Sequence, residues 1–333
     1  MSILPCSVPR LESNNWQTEF AQSFTRIEDL LDFLNLDLAQ IDFKDSTFPL
    51  RVTRHFANLM EPGNYADPLL KQVLPSVAEH HVREDFVSDP TGDHAAEQGS
   101  GLLQKYAGRV LLITTGACAI NCRYCFRRHF PYSEHNAASQ QWAETLSQLK
   151  TMTDVSEVVL SGGDPLVLDN KKLAALIEAL DRLPHIKRLR IHTRLPVVLP
   201  SRIDDELLTL LQNTRLNSVL VIHVNHPNEI SDELRIALQP VRARGIPIFN
   251  QSVLLKGIND DADTLASLSE QLFEAGVIPY YLHALDHVQG AAHFQVPIQR
   301  GKELMDALLK VLPGYLVPKF VREQSGALSK LPI

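Results

Sequence analysis

Cys118-Ala119-Ile120-Asn121-Cys122-Arg123-Tyr124-Cys125 sets three cysteines at CxxxCxxC spacing directly behind the apolar run Val110-Leu111-Leu112-Ile113. Four consecutive aliphatic residues, two of them β-branched, read as a strand buried on both faces. Three thiols within eight residues are too close for a disulfide framework and typical of metal ligation in a reducing compartment. They suit three irons of a [4Fe–4S] cluster and leave its fourth iron without a protein ligand. A structural zinc site usually takes four ligands, and no second cysteine pair or His-x3–5-His follows at short distance. Cysteines that merely pack would not need this spacing. Cys6, the fourth cysteine, stands alone and reads as incidental.

Whether other strands also end in reactive groups decides the fold. Beyond residue 108, short β-branched runs at 109–115, 157–161, 187–193, 218–224, 246–252 and 277–282 alternate with amphipathic patterns. The latter include Leu173, Leu176, Ile177 and Leu180; Leu207, Leu208 and Leu211; Leu234, Ile236 and Leu238; and Leu265, Leu268 and Leu272. Six such alternations imply a parallel sheet with crossover helices. The runs end in turn at the cysteines, Gly162-Gly163-Asp164, Thr193-Arg194, His223 and Asn225, Gln251, and Asp286. Polar groups converging from the C-terminal ends of successive strands indicate a TIM-like barrel, since an open doubly wound sheet gathers them at one switch point. The fold expected is therefore α/β, a partial TIM-like (β/α)6 barrel, with the run 315–321 extending or closing it.

Residues 1–105 read as an N-terminal, mainly helical region and linker, and 106–333 as the barrel. A capping box at Thr25 and Glu28 predicts a helix over about 26–35. A second pattern, Phe48, Val52, Phe56, Leu59 and Met60, stops at Glu61-Pro62-Gly63-Asn64. The polar stretch from Val87 to Ser100 reads as the linker. At 333 residues and 44% hydrophobic the chain can bury a large core. With 32 basic and 39 acidic residues and a net charge of -7, nothing draws it to nucleic acid or an anionic membrane, and small polar substrates are favoured. The sequence shows no apolar run of spanning length and no signal peptide, which predicts a soluble, cytoplasmic protein.

The cysteine spacing, with Tyr124 before the last cysteine, resembles the radical S-adenosylmethionine (SAM) enzymes, in which the methionine end of SAM chelates the open iron. Arg127-Arg128, Leu160 to Leu166, Arg194 to Pro200, His223 to Glu229 and Asn250 to Gly257 narrow this to the lysine 2,3-aminomutase family, whose motif order the chain follows from about residue 48 onward. That resemblance implies three cofactors: a [4Fe–4S] cluster on Cys118, Cys122 and Cys125, SAM, and pyridoxal 5'-phosphate (PLP). It places SAM against Gly162, Gly163, Asp164, His223 and Gln251, and the PLP Schiff base on Lys330, here behind a shorter glycine run than the family commonly shows. It places the PLP phosphate on Arg109 and Lys105. Arg127 matches the residue for the substrate carboxylate, and Asp286 and Glu323 match the pair of carboxylates for a distant ε-ammonium. Glu323 stands where aspartate is usual, keeping the charge and adding one methylene.

The reaction so implied begins with reductive cleavage of SAM to a 5'-deoxyadenosyl radical, which removes hydrogen from C3 of lysine. The nitrogen then migrates from C2 to C3 and the hydrogen returns. The free-lysine enzymes continue well past the PLP lysine, whereas this chain ends at Ile333, a pattern similar to the short bacterial enzymes that make (R)-β-lysine for elongation factor P. Expected partners are L-lysine, a reducing electron donor of flavodoxin or ferredoxin type, and a functional link to elongation factor P and its lysyl ligase. The alternatives are an aminomutase for free lysine or another amino acid such as glutamate, and a non-catalytic, zinc-stabilised binding module.

Overall fold

The chain is described from a computed structural model that covers residues 16–42, 46, 48–99, 101–132 and 139–333; Cys6 and Ser100 lie outside the described residues. Among the described residues nine strands form one sheet: β1 Leu102–Tyr106, β2 Arg109–Thr115, β3 Glu157–Gly162, β4 Arg188–Thr193, β5 Asn217–Ile222, β6 Ile248–Val253, β7 Ile278–His283, β8 Lys319–Arg322 and β9 Leu331–Pro332. Their order in space is their order in sequence. Strands β2 to β8 are mutually parallel, while β1 and β9 pair antiparallel at the two ends. A doubly wound sheet would reverse its strand order at a switch point. Here no reversal occurs, every crossover runs the same way, and the sheet is that of a partial TIM-like barrel. The run expected over 315–321 becomes a strand only from Lys319, after a 3-10 turn at Gly314–Leu316, and supplies a seventh parallel strand.

The crossover helices start where short polar side chains satisfy their first N–H groups. Asp169, Asp204, Ser231 and Asp261 cap the helices Asn170–Asp181, Asp205–Asn213, Asp232–Ala243 and Ala262–Glu274, each accepting from a backbone N–H in the first turn. The apolar stripe of each helix turns inward as its spacing dictates, although in Asp232–Ala243 Ala237 and Val241 complete the buried face and Ile236 is only half-buried.

The N-terminal helices Trp16–Ala21, Ile27–Phe33 and Arg54–Asn58 are not a separate body. Leu30, Leu31, Val52 and Phe56 belong to the same buried cluster as Leu160, Ile191 and Val198 of the barrel. The expected capping box at Thr25 and Glu28 does not form. Arg26 occupies the N-cap in extended backbone without a side-chain bond, so the helix is held by burial of Leu30 and Leu31. The stretch expected to be a linker is likewise bonded to the barrel. Val87 bridges Val288, Asp93 is buried, and Gln104 of β1 donates its N–H to the carbonyl of Ala96 at 3.0 Å. No helix among the described residues is long and apolar enough to cross a membrane.

Candidate active site

The C-terminal ends of the strands open into one cavity of about 340 Å³. All fourteen residues singled out from the sequence line it: Cys118, Cys122, Cys125, Gly162, Gly163, Asp164, His223, Gln251, Arg109, Lys105, Arg127, Asp286, Glu323 and Lys330. The cysteines sit on the loop after β2, folded by a turn in which Cys125 N–H donates to the Cys122 carbonyl at 3.0 Å. Burial pushes the Cys118 thiol well up and the Cys125 thiol to about 11, and the neighbouring sulfurs add to both shifts. Added cationic charge would favour the thiolates of Cys118 and Cys125 against these shifts, which fits ligation of an iron–sulfur cluster. Among the described residues no three His, Cys, Asp or Glu side chains group tightly enough for a single ion. A four-iron cluster asks for a wider grouping, because each thiolate takes its own iron.

Two glycines bring the β3 loop against the cysteine loop. Gly162 has φ +116, and a Cβ there would meet the Thr115 carbonyl oxygen at 2.7 Å; one on Gly163 would meet that of Ala117 at 2.3 Å. Only glycine permits this approach. Gly163 and Asp164 donate their N–H groups to Thr115 and Ala117 at 2.7 and 2.8 Å. The Asp164 carboxylate is fully engaged by the Thr193 hydroxyl at 2.6 Å and the N–H groups of Arg194, Leu195 and Leu166 at 2.7, 2.8 and 3.0 Å. It thus ties β3 to the turn after β4. Gln251 Nε2 lies 2.9 Å from His223 Nε2. Burial, with Arg194 and Lys330 adding to it, lowers His223 to about 3, so the ring is neutral and accepts.

Across the cavity, Lys330 is delivered by β9, whose Leu331 and Pro332 pair with Arg322 and Val321 of β8. Lys330 Nζ donates to Glu323 Oε2 at 2.5 Å, and Tyr106 donates its hydroxyl to Glu323 Oε1 at 2.8 Å. Burial raises the Glu323 carboxyl, but Lys330, Lys105 and the Tyr106 hydroxyl outweigh it and hold the group below its usual range. Asp286 is partly open to the cavity yet enclosed by protein, and burial raises it to about 7 against the pull of Lys330.

Arg127 is buried, its Nε on Asp93 at 2.6 Å and its Nη1 on Ser161 Oγ at 3.0 Å. Its Nη2 has no bonding partner among the described residues, and the residue lines the cavity. The two expected phosphate cations differ. Arg109 lies over the Tyr106 ring at 4.9 Å with no carboxylate partner among the described residues, whereas Lys105 is committed to Asp93 at 2.5 Å and to the Thr91 carbonyl at 2.8 Å. A lysine amine, a guanidinium with no carboxylate partner among the described residues and an aromatic hydroxyl in one pocket fit a phosphorylated aldehyde cofactor such as PLP.

Several residues of the site escaped the sequence reading. Asp93, which holds the lining residues Arg127 and Lys105, was concealed in the supposed linker, and Tyr106 sits directly before a glycine-bearing hairpin turn. His192 and His283 lie on β4 and β7, and each has a buried Nε2 without a bonding partner among the described residues.

A sequence profile of the Radical SAM superfamily matches residues 112–268. The chain is 46% identical to an L-lysine 2,3-aminomutase of Escherichia coli (strain K12), covering 96% of this chain and 94% of that protein. It is 45% identical to the enzyme of that name from Haemophilus influenzae, over 99% of this chain and 98% of the relative. Identity to the L-lysine 2,3-aminomutase of Clostridium subterminale is 32%, over 96% of this chain and 78% of that protein.

Proposed function

Because the chain belongs to the L-lysine 2,3-aminomutase family of radical SAM enzymes, we propose that it converts (S)-α-lysine to (R)-β-lysine with PLP held on Lys330, and that the β-lysine serves the modification of elongation factor P. Membership makes it a radical SAM isomerase that uses a [4Fe–4S] cluster and SAM. The observation that carries the PLP reading is the position of Lys330. More than two hundred residues after the cysteines, it is brought by β9 pairing into the cavity they line.

When bound, the cluster and SAM supply the radical, and PLP supplies an aromatic ring over which an unpaired electron on the migrating group is delocalised. The chain's own residues do the positioning. Arg127, held by Asp93 and Ser161, lines the cavity, where it pairs with the substrate carboxylate. Asp286 and Glu323 receive the ε-ammonium. Glu323, the ion-pair partner of Lys330 here, would exchange that cation for the substrate's ε-ammonium. Arg109 meets the cofactor phosphate. His223 and Gln251 offer one donor–acceptor pair to the SAM side, and the Gly162-Gly163 approach leaves backbone accessible to its methionine end. The apolar walls keep water from the radical.

To test this, anaerobically reconstituted enzyme is treated with PLP and borohydride and the modified peptide located by mass. The label is expected on Lys330, and Lys330→Ala is expected to lose both the label and lysine isomerisation while retaining its iron. Labelling elsewhere, or wild-type turnover by Lys330→Ala, would overturn the assignment. Turnover of glutamate instead of lysine would overturn the roles of Asp286 and Glu323. Loss of the β-lysyl mass from elongation factor P in cells lacking this chain tests the last part of the proposal.

A further inference from the structure

Behind Cys122 lies a buried polar cluster for which the reaction described above has no use. Arg194, just past β4, spreads its guanidinium between the cysteine loop and the barrel wall. Nη1 donates to Cys122 Sγ at 2.7 Å and to the Tyr124 hydroxyl at 2.6 Å; Nη2 donates to Gln72 Oε1 at 2.7 Å and Glu229 Oε2 at 2.9 Å. Every partner is itself fixed. Gln72 Nε2 donates to Glu229 Oε1 at 2.9 Å, and the same oxygen accepts the N–H groups of Asn225 and His226. Asn225 Nδ2 donates to the Tyr124 hydroxyl at 2.5 Å. The guanidinium also lies 5.3 Å from the Phe56 ring centroid, and both Arg194 and Glu229 are buried. An arginine needed only to balance Glu229 would satisfy that carboxylate with both arms. Here one arm holds Glu229 and the other points at a cluster ligand.

We propose that Arg194 is a positioning residue for the iron–sulfur cluster, its Nη1 N–H and its charge acting on the Cys122 thiolate to hold the cluster's reduction potential up. The physical basis is the charge change on reduction. One added electron makes the cluster one unit more negative, and a fixed cation donating a hydrogen bond to a ligating sulfur stabilises that state more than the oxidised one. In a buried site with little water the effect is weakly screened. Glu229 opposes it, but from the arm turned away from the sulfur. The inference rests on the cluster alone and not on the amino acid isomerised, so it can fail while the proposed reaction stands, and the reverse.

The test uses the full chain reconstituted anaerobically, with the cluster midpoint potential followed by electron paramagnetic resonance. Arg194→Met paired with Glu229→Gln removes the cation without stranding a buried carboxylate. At a fixed applied potential its ratio of reduced to oxidised cluster is expected to fall at least tenfold, which is about 59 mV for a one-electron couple. Arg194→Lys, which keeps the charge but not the fork, is expected to fall between it and the wild type. A second measurement needs no variant. Wild-type protein grown on arginine labelled with 15N at its guanidino nitrogens is expected to show a 15N coupling to the reduced cluster, and this coupling should vanish in Arg194→Lys. A double variant with full iron content and an unchanged midpoint would overturn the proposal. So would a labelled wild type without the coupling, and that measurement alone decides if the variants fail to take up iron.

Discussion

Asp286 shows how much a single side chain's surroundings can change what its sequence position implies. Burial raises its carboxyl from 3.8 to about 7, above where the same group titrates in the unfolded chain. Between those values the folded state holds a proton that the unfolded state has lost, so stability falls as pH rises across that window. Asp286→Asn is expected to flatten that segment of a plot of melting temperature against pH for the substrate-free protein. In the reaction the group must be ionised to hold an ammonium, so the KM for lysine is expected to drop as pH rises through about 7, and this dependence should disappear in Asp286→Asn. The cysteines stood out in the sequence because their spacing is chemically unusual, whereas the glycine pair gained its meaning, and Lys330 its place, only from the family resemblance. Asp93, Tyr106, His192 and His283 were not legible there. Each is a common residue whose importance comes from what a distant segment places beside it, such as Arg127 beside Asp93.

At the scale of elements, the first six parallel strands were readable from their apolar, β-branched runs, and their observed ends differ from expectation by at most two residues, whereas β8 starts four residues later than its run. β9 was not readable, since two residues carry no period. Its register explains its composition. Ile333 N–H donates to the Phe320 carbonyl, so the neighbouring Pro332–Val321 pair falls at a non-hydrogen-bonded position of the antiparallel ladder, where a residue without an N–H costs nothing. Leu331, opposite Arg322, occupies the next bonded position. Leu331→Pro is expected to break that pairing and release Lys330. PLP incorporation by borohydride trapping should fall at least tenfold, while the visible spectrum of the reconstituted cluster stays as in the wild type. The supposed linker was misread for a related reason. A polar, Pro- and Gly-rich composition matches both a flexible tether and an irregular segment anchored by its own buried bonds, and Asp93 makes this segment the second kind.

Across the whole molecule, the N-terminal region and the cysteine loop are joined by Glu79. Its carboxylate accepts from Arg123 Nε at 2.7 Å and from Arg128 Nη2 at 2.6 Å, on either side of Cys125, with all three side chains almost fully enclosed. Burial raises Glu79, but the two arginines outweigh it and hold the carboxyl below its usual range. That contribution to stability is present above the unfolded carboxylate pKa and is lost as pH falls through the folded one. Glu79→Gln leaves two buried guanidinium groups short of a counter-charge. The expected cost is about 3–5 kcal/mol, read as a lower urea midpoint at neutral pH and a smaller loss of stability on acidification than in the wild type. By itself the sequence determined the α/β class, the strand order's one-way progression, the cysteine site and the family, because periodicity, spacing and local motif are properties of contiguous residues. Only the tertiary structure decided that the N-terminal residues share the barrel core, that Arg194 reaches Cys122, and that Lys330 faces the cysteines' cavity. Those facts depend on segments tens to hundreds of residues apart meeting in a buried space, where each polar group must find a partner and no local pattern records which one.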